Sequence, residues 1–314
     1  MYKDIQVPYV NTDSEHAPAA AAIAIADAFQ AHVAMLVTVD VPRPMPSDWG
    51  AMAYDVYASL HEEARKRAHA RAEALRGKFA HAKVPVEIRT TEAVSLYPQN
   101  AAALQARYAD LSVLPTMPKE GADTMFVHDY FHDLLRQSGR PVLVVPRDSK
   151  AMLPPKRVVI AWKPTREASR AVADAMPLLR KADTVNVVVI DPVVGEAVHG
   201  GEPGADIAVH LARHGLKVEV ETRPSMNFSV AYAVLQHART VGADLVVAGG
   251  YGHSRLREAL LGGTTRALPS RSRIATRLVS TSNPAPGSRA SLTTMRSSAF
   301  PSSLVRALWM ASPV

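Results

Sequence analysis

A chain of 314 residues with 47% hydrophobic side chains is long enough for two cores, and its length predicts two units of roughly 150 residues each. It has no cysteine, which excludes disulfides, iron–sulfur clusters and thiolate zinc sites and suits a reducing cytoplasm. The formal charge of +7 lies wholly at one end, because Arg266, Arg271, Arg273, Arg277, Arg289, Arg296 and Arg306 follow Gly263 with no acidic residue among them. The body before them is electrically balanced, so a nucleic-acid-binding patch on it is not expected. The N-terminus lacks the basic and apolar regions of a signal peptide, and no apolar run approaches the ~20 residues of a membrane span. A cytoplasmic protein without membrane contact is the expectation.

Ile5 to Val10 reads as a first short strand, followed by an alanine-rich helix from about Ala17 to Gln30 that Asp13 or Ser14 is placed to cap. Val33 to Val39 is apolar throughout, the pattern of a strand buried on both faces. Tyr54 to His81 predicts a long charged helix with alanines and leucines on one side. Val84 to Thr90 predicts a third strand, Pro98 to Ala109 a helix, Leu111 to Leu114 a fourth strand, Met125 to Gln137 a helix and Pro141 to Pro146 a fifth strand. Strands alternating with helices predict parallel pairing through right-handed crossovers.

The polar segment from Arg147 to Lys156, with Pro154-Pro155 near its end, marks a domain boundary. The same order of elements then returns. Arg157 to Trp162 repeats the first strand and Thr165 to Leu179 the first helix, with Thr165 as its cap. Val185 to Ile190, Ala205 to His214, Leu216 to Thr222, Ser229 to Thr240 and Leu245 to Ala248 complete the series to a fourth strand. The halves read as an internal duplication, residues 1–150 and 151–268, with a tail over 269–314.

The fourth strand of the second half ends in Ala248-Gly249-Gly250-Tyr251-Gly252 and gives way to a helical pattern with Leu256, Leu260 and Leu261 on one face. Strand, glycine turn and helix start form a place where backbone N–H groups converge on an anion. Gly249, Gly252 and Gly262 have the spacing G-2x-G-9x-G, which resembles the C-terminal signature of the universal stress protein family. Gly263 stands where that family has Ser or Thr, and Thr264 comes one place later. The resemblance implies an α/β fold of the adenine nucleotide alpha hydrolase type: two tandem doubly wound parallel sheets of five strands, each in the order 3-2-1-4-5. It also implies a pairing of the halves within the chain, with a homodimer as a further arrangement.

By that resemblance the second half would hold ATP, with Mg accompanying the nucleotide and no other metal. The phosphates would meet Ala248, Gly249, Tyr251 and Gly252 and the backbone of Gly262, Gly263 and Thr264, and the adenine would lie near Ile190. The family's ATP-binding members carry Asp directly after the first strand; here Lys163 stands there, an ammonium donor in place of a carboxylate acceptor, which could instead face a phosphate. The first half has Pro115-Thr116-Met117-Pro118 after its fourth strand, and proline offers no N–H to a phosphate, so this half is expected to be a stabilising partner. The implied role is stress-linked binding and signalling; a scaffold with an empty crevice and a slow nucleotide hydrolase are the alternatives.

No catalytic constellation completes itself. Gly77-Lys78 lacks the upstream glycine of a Walker loop, Gly250-x-Gly252 lacks the third glycine of a dinucleotide fingerprint, and Gly252-His253-Ser254 continues to Arg255 where a nucleophile elbow needs glycine. Ser254 reads as a helix cap. His128 and His132, four apart on a helix, show no third ligand, so no metal site is expected. In the tail, Ile274 to Val279 is a strand candidate at the spacing of the first half's fifth strand, although Arg277 interrupts it. The rest, rich in Ser, Arg, Ala and Thr, predicts disorder, and a change of reading frame near Leu268 would produce such a non-native sequence.

Overall fold

The computed structural model describes residues 1–10, 16–39, 54–92, 97–116, 123–146, 153–192, 201–250 and 306–310. The first half runs β1 (Asp4–Tyr9), α1 (His16–Phe29), β2 (His32–Val39), α2 (Tyr54–Phe79), β3 (Val86–Glu92), α3 (Pro98–Ala106), β4 (Leu111–Pro115), α4 (Asp123–Gln137) and β5 (Val142–Val145). The second runs β6 (Arg157–Ala161), α5 (Arg166–Leu179), β7 (Thr184–Ile190), α6 (Ala205–Arg213), β8 (Val218–Arg223), α7 (Val230–Thr240) and β9 (Leu245–Gly249), and β10 (Arg306–Met310) completes it. From β1 to β9, expected and observed elements agree within a few residues at each boundary; the expected helix with Leu256, Leu260 and Leu261 and its cap Ser254 lie outside the described residues. The candidate caps Asp13 and Ser14 lie outside the described residues.

The strands form one sheet in the order β3-β2-β1-β4-β5-β10-β9-β6-β7-β8. Each half therefore has the 3-2-1-4-5 order, and the two are joined edge to edge. Pairing is parallel within each half, as in β1 with β2 and β4 and in β6 with β7 and β9. At the seam β10 runs parallel to β9 but antiparallel to β5, with Leu308 opposite Leu143. Val142–Val145 is buried along its whole length, which explains its unbroken apolar run at the centre of a sheet covered on both faces.

The fifth position of the second half is the one clear difference from expectation. Its strand is Arg306–Met310, within a tail whose composition predicts disorder. The other candidate, Ile274 to Val279, lies outside the described residues, as does the rest of the tail.

On one face of the sheet α1 and α5 share a core. Ile25 and Phe29 from α1 belong to the same buried cluster as Ala171, Val172, Leu178 and Leu179 from α5. Tyr2 joins them: its hydroxyl donates to the carbonyl of Asp174 at 2.7 Å, and its ring meets Phe29 edge-on at 5.5 Å. Burial pushes the Tyr2 phenol far above its usual pKa. On the other face α3 and α4 cover the first half with Ala102, Phe131 and Leu134, and Ala231 of α7 belongs to the same cluster.

The duplication extends to single atoms. Asp110 precedes β4 and accepts from the amides of Lys3 at 2.7 Å and Asp4 at 3.2 Å. Asp244 precedes β9 and accepts from the amides of Lys156 at 2.9 Å and Arg157 at 3.0 Å. Each aspartate also donates its own amide to the first strand, to Asp4 O at 2.7 Å and to Arg157 O at 2.9 Å. One carboxylate thus ties the start of the fourth strand to the start of the first in both halves.

Candidate functional site

The strand order of the second half reverses at β6, which has β7 on one side and β9 on the other. Chain connections leave such a point in opposite directions, and a crevice opens outside the carboxyl ends of the two strands. The helices lie accordingly. α5 packs with Val158, Ile160 and Val247 on one face, and α7 packs with Val159 and Val246 on the other.

Beyond β6 the chain turns through Trp162, Lys163, Pro164 and Thr165. The amide of Trp162 donates to Val188 O at 2.9 Å, and that of Thr165 to Lys163 O at 2.7 Å, a three-residue turn that suits the fixed φ of Pro164. Thr165 is the cap expected for α5: its hydroxyl accepts from the amide of Ala168 at 3.3 Å. Lys163 is exposed at the mouth, and its ammonium makes no hydrogen bond or ion pair with a described residue.

Across from this turn, Ala248 is buried and Gly249 ends β9. A Cβ on Gly249 would stand 2.8 Å from the amide nitrogen of Ala168 and 2.9 Å from the carbonyl carbon of Glu167. The strand end and the first turn of α5 are therefore in backbone contact, which requires glycine for a reason independent of any ligand. The first half makes the contrast. Counted from Leu111 and Leu245, the residue matching Gly249 is Pro115, the last of β4. At that half's β1 end the Arg71 guanidinium lies 5.2 Å over the Tyr9 ring.

At the end of β7, Ile190 is half-buried and Asp191 has a left-handed backbone, φ 48°. The Asp191 carboxylate accepts from the amide of Ser225 at 2.8 Å. The Ser225 hydroxyl and amide together hold it below the usual carboxylate range. With Pro192, Thr222, Arg223 and Pro224 it lines a shallow hollow of about 270 Å³. The loop beyond is clamped at both ends: Phe228 donates its amide to Ser225 O at 2.9 Å, and the Ser229 hydroxyl accepts from the amide of Tyr232 at 3.2 Å to cap α7. The Asp191–Ser225 clamp is a feature that sequence reasoning missed. An Asp after a strand and a Ser before a helix each look like ordinary turn residues, and only the fold brings them together.

Of the residues expected to hold a nucleotide, Lys163, Ile190, Ala248 and Gly249 lie along the carboxyl ends of β6, β7 and β9. Tyr251, Gly252, Gly262, Gly263 and Thr264 lie outside the described residues. His128 and His132 stack at 6.2 Å between ring centres, each with its neighbouring aspartate at 3.4 Å. No group of three metal-capable side chains occurs among the described residues.

Residues 1–146 match the family model described as the universal stress protein family. The match falls on the half without the glycine signature. Among curated proteins none matches the chain. A universal stress protein from Archaeoglobus fulgidus DSM 4304 superposes with a TM-score of 0.61 at 14% identity, covering 99% of this chain and 96% of that one. A functionally unknown protein from Pseudomonas aeruginosa PAO1 gives 0.48 at 16% identity, over 99% and 92%. Universal stress protein UspA from Lactobacillus plantarum gives 0.35 at 22% identity, covering 46% of this chain and 97% of its own. The first of these shows that the fold extends over both halves.

Proposed function

We propose, from the match of residues 1–146 to the universal stress protein family model, that the whole chain is a tandem universal stress protein whose second half binds an adenine nucleotide, ATP with its Mg, for stress-linked signalling in the cytoplasm. The observation that supports the reading most is the reversal of strand order at β6, between β7 and β9; in open α/β sheets ligands bind at the carboxyl ends of the strands at such a point. The base would rest near Ile190 and the hollow beside Asp191. The phosphates would meet the chain from Gly249 onward, with Gly252, Gly262 and Thr264, and the Lys163 ammonium would face them. The first half, with Pro115 in place of Gly249, is the structural partner.

One observation favours a scaffold with an empty crevice. Glu167, on the first turn of α5, has its Cβ at 3.0 Å from where a Gly249 Cβ would be, so a carboxylate is rooted beside the expected phosphate position and opposes an anion there. Calorimetric titration of the full chain with MgATP decides between the two. Saturable binding is expected, lost in Gly252→Val and about tenfold weaker in Lys163→Glu, where a phosphate partner becomes a repelling charge. Absence of heat from the unaltered chain leaves the scaffold, and turnover of ATP in the same sample would point to the hydrolase.

A further inference from the structure

A cavity of about 450 Å³ lies in the first half, between α1 and the end of α2, and shares no residue with the crevice of the second half. Its walls are apolar: Ala20, Ile23 and Ala24 from α1 and Phe79 from α2. Ile23 and Phe79 are packed against the buried core beneath, so these walls stand on a fixed base. Ala20 and Ala24, one turn apart on α1, carry only methyl groups, and the space that longer side chains would fill stays open.

The polar part of the lining is cationic on balance. Lys78 and Lys83 stand against a single carboxylate, Asp27, and none of the three forms an ion pair with a described residue. Lys78 instead donates to Nδ1 of His16 at 2.7 Å and lies 5.4 Å from the centre of the Phe79 ring. An ammonium only donates, so His16 is the acceptor, and an imidazole nitrogen does not cancel the charge as a carboxylate would. The contact with Phe79 sets a positive charge directly over an apolar wall. Elsewhere in this half Arg65, Arg76, Arg89 and Arg140 each reach a carboxylate.

We propose that this groove binds a free single-chain carboxylate of the fatty-acid type. Its chain lies on Ala20, Ile23, Ala24 and Phe79, and its carboxylate is held by Lys78 and Lys83. The charges and the walls select this class together. A neutral apolar molecule would leave both ammoniums unanswered, and a compact anion such as phosphate would leave the walls uncovered. A cationic amphiphile would meet two like charges for one carboxylate. The volume admits a chain of about ten carbons with its headgroup.

Calorimetric titration of the full chain with decanoate tests this. Saturable binding is expected, about tenfold weaker in Lys83→Glu, where an attracting charge becomes a repelling one. Ala20→Phe, at an exposed position of α1, places a ring in the groove and should abolish it. Across hexanoate, octanoate and decanoate the affinity should rise about twofold per added methylene, as for a chain covered on one side. Decyltrimethylammonium, with the same chain and the opposite charge, should not bind saturably. Absence of saturable decanoate binding to the unaltered chain overturns the proposal. So does binding indifferent to Lys83→Glu, to Ala20→Phe or to chain length, or equal uptake of the cationic amphiphile. Flotation with anionic phospholipid vesicles without uptake of decanoate would make the groove a membrane contact and overturn it equally. The exchange at exposed Lys83 decides the matter even if Ala20→Phe does not fold.

Discussion

The imidazole of His237, on α7, has no exposed surface. Its Nε2 donates to Asn186 Oδ1 at 2.6 Å, while Nδ1 has no hydrogen-bond partner among the described residues and lies 3.5 Å from Glu221. Burial holds its pKa below the ordinary value of 6.5; the Glu221 carboxylate pulls upward, and Arg223 adds to the depression. The unfolded chain therefore binds a proton near pH 6.5 that the folded chain refuses. The stability due to this group is fully present above that pH and is lost as pH falls below it toward the folded value. Urea unfolding of the full chain between pH 5 and 8 should show a decline on the acid side that is shallower in His237→Gln. Equal slopes in the two proteins would show that this ring does not govern the response. At the same scale, Asp110 and Asp244 explain why each half begins its first strand where it does, since a carboxylate waits there for two amides.

Between elements, the tightest constraint is the contact of β9 with α5. Gly249→Ala would press a methyl to within 2.8–3.0 Å of Glu167 and Ala168, and two of the three nearest atoms are backbone that cannot rotate away. A loss of about 1–3 kcal/mol in urea unfolding is expected. Gly77→Ala in α2, where nothing lies within 4 Å of the added carbon, serves as the control and should be neutral or stabilising. An unchanged midpoint for Gly249→Ala would mean that the helix retreats without cost. The elements themselves were legible in the sequence, because VAMLVTV and RVVIAW are apolar in blocks and α5 is apolar at helical spacing. The cap at Thr165 was legible for the same local reason. What was not legible depends on distance along the chain. The Asp191–Ser225 clamp spans two loops, and β10 is a short apolar run, Ala307 to Met310, at the end of a basic, serine-rich tail whose overall composition concealed it. Of the glycine signature, only the first member lies among the described residues, and there its lack of a side chain answers to a helix.

For the molecule as a whole, the shared core of α1 and α5 makes one folding unit of the two halves. Leu178 is fully buried in the cluster that also contains Ile25 and Phe29. Leu178→Ala should cost about 2–5 kcal/mol and should lower hydrogen-exchange protection in α1 as well as in α5. Faster exchange confined to residues 157–250 would show that the halves open separately. The shared core also divides the first half by the kind of change it can absorb. At its carboxyl edge Pro115 is buried and pairs with Val145, while the Tyr9–Arg71 stack lies at the end of β1. Tyr2, Ile25 and Phe29, at the opposite end of that half's business, are wedged against another helix's atoms. A change at that flank is therefore felt by both halves at once, so side chains there answer to two cores, whereas the exposed rims answer to one.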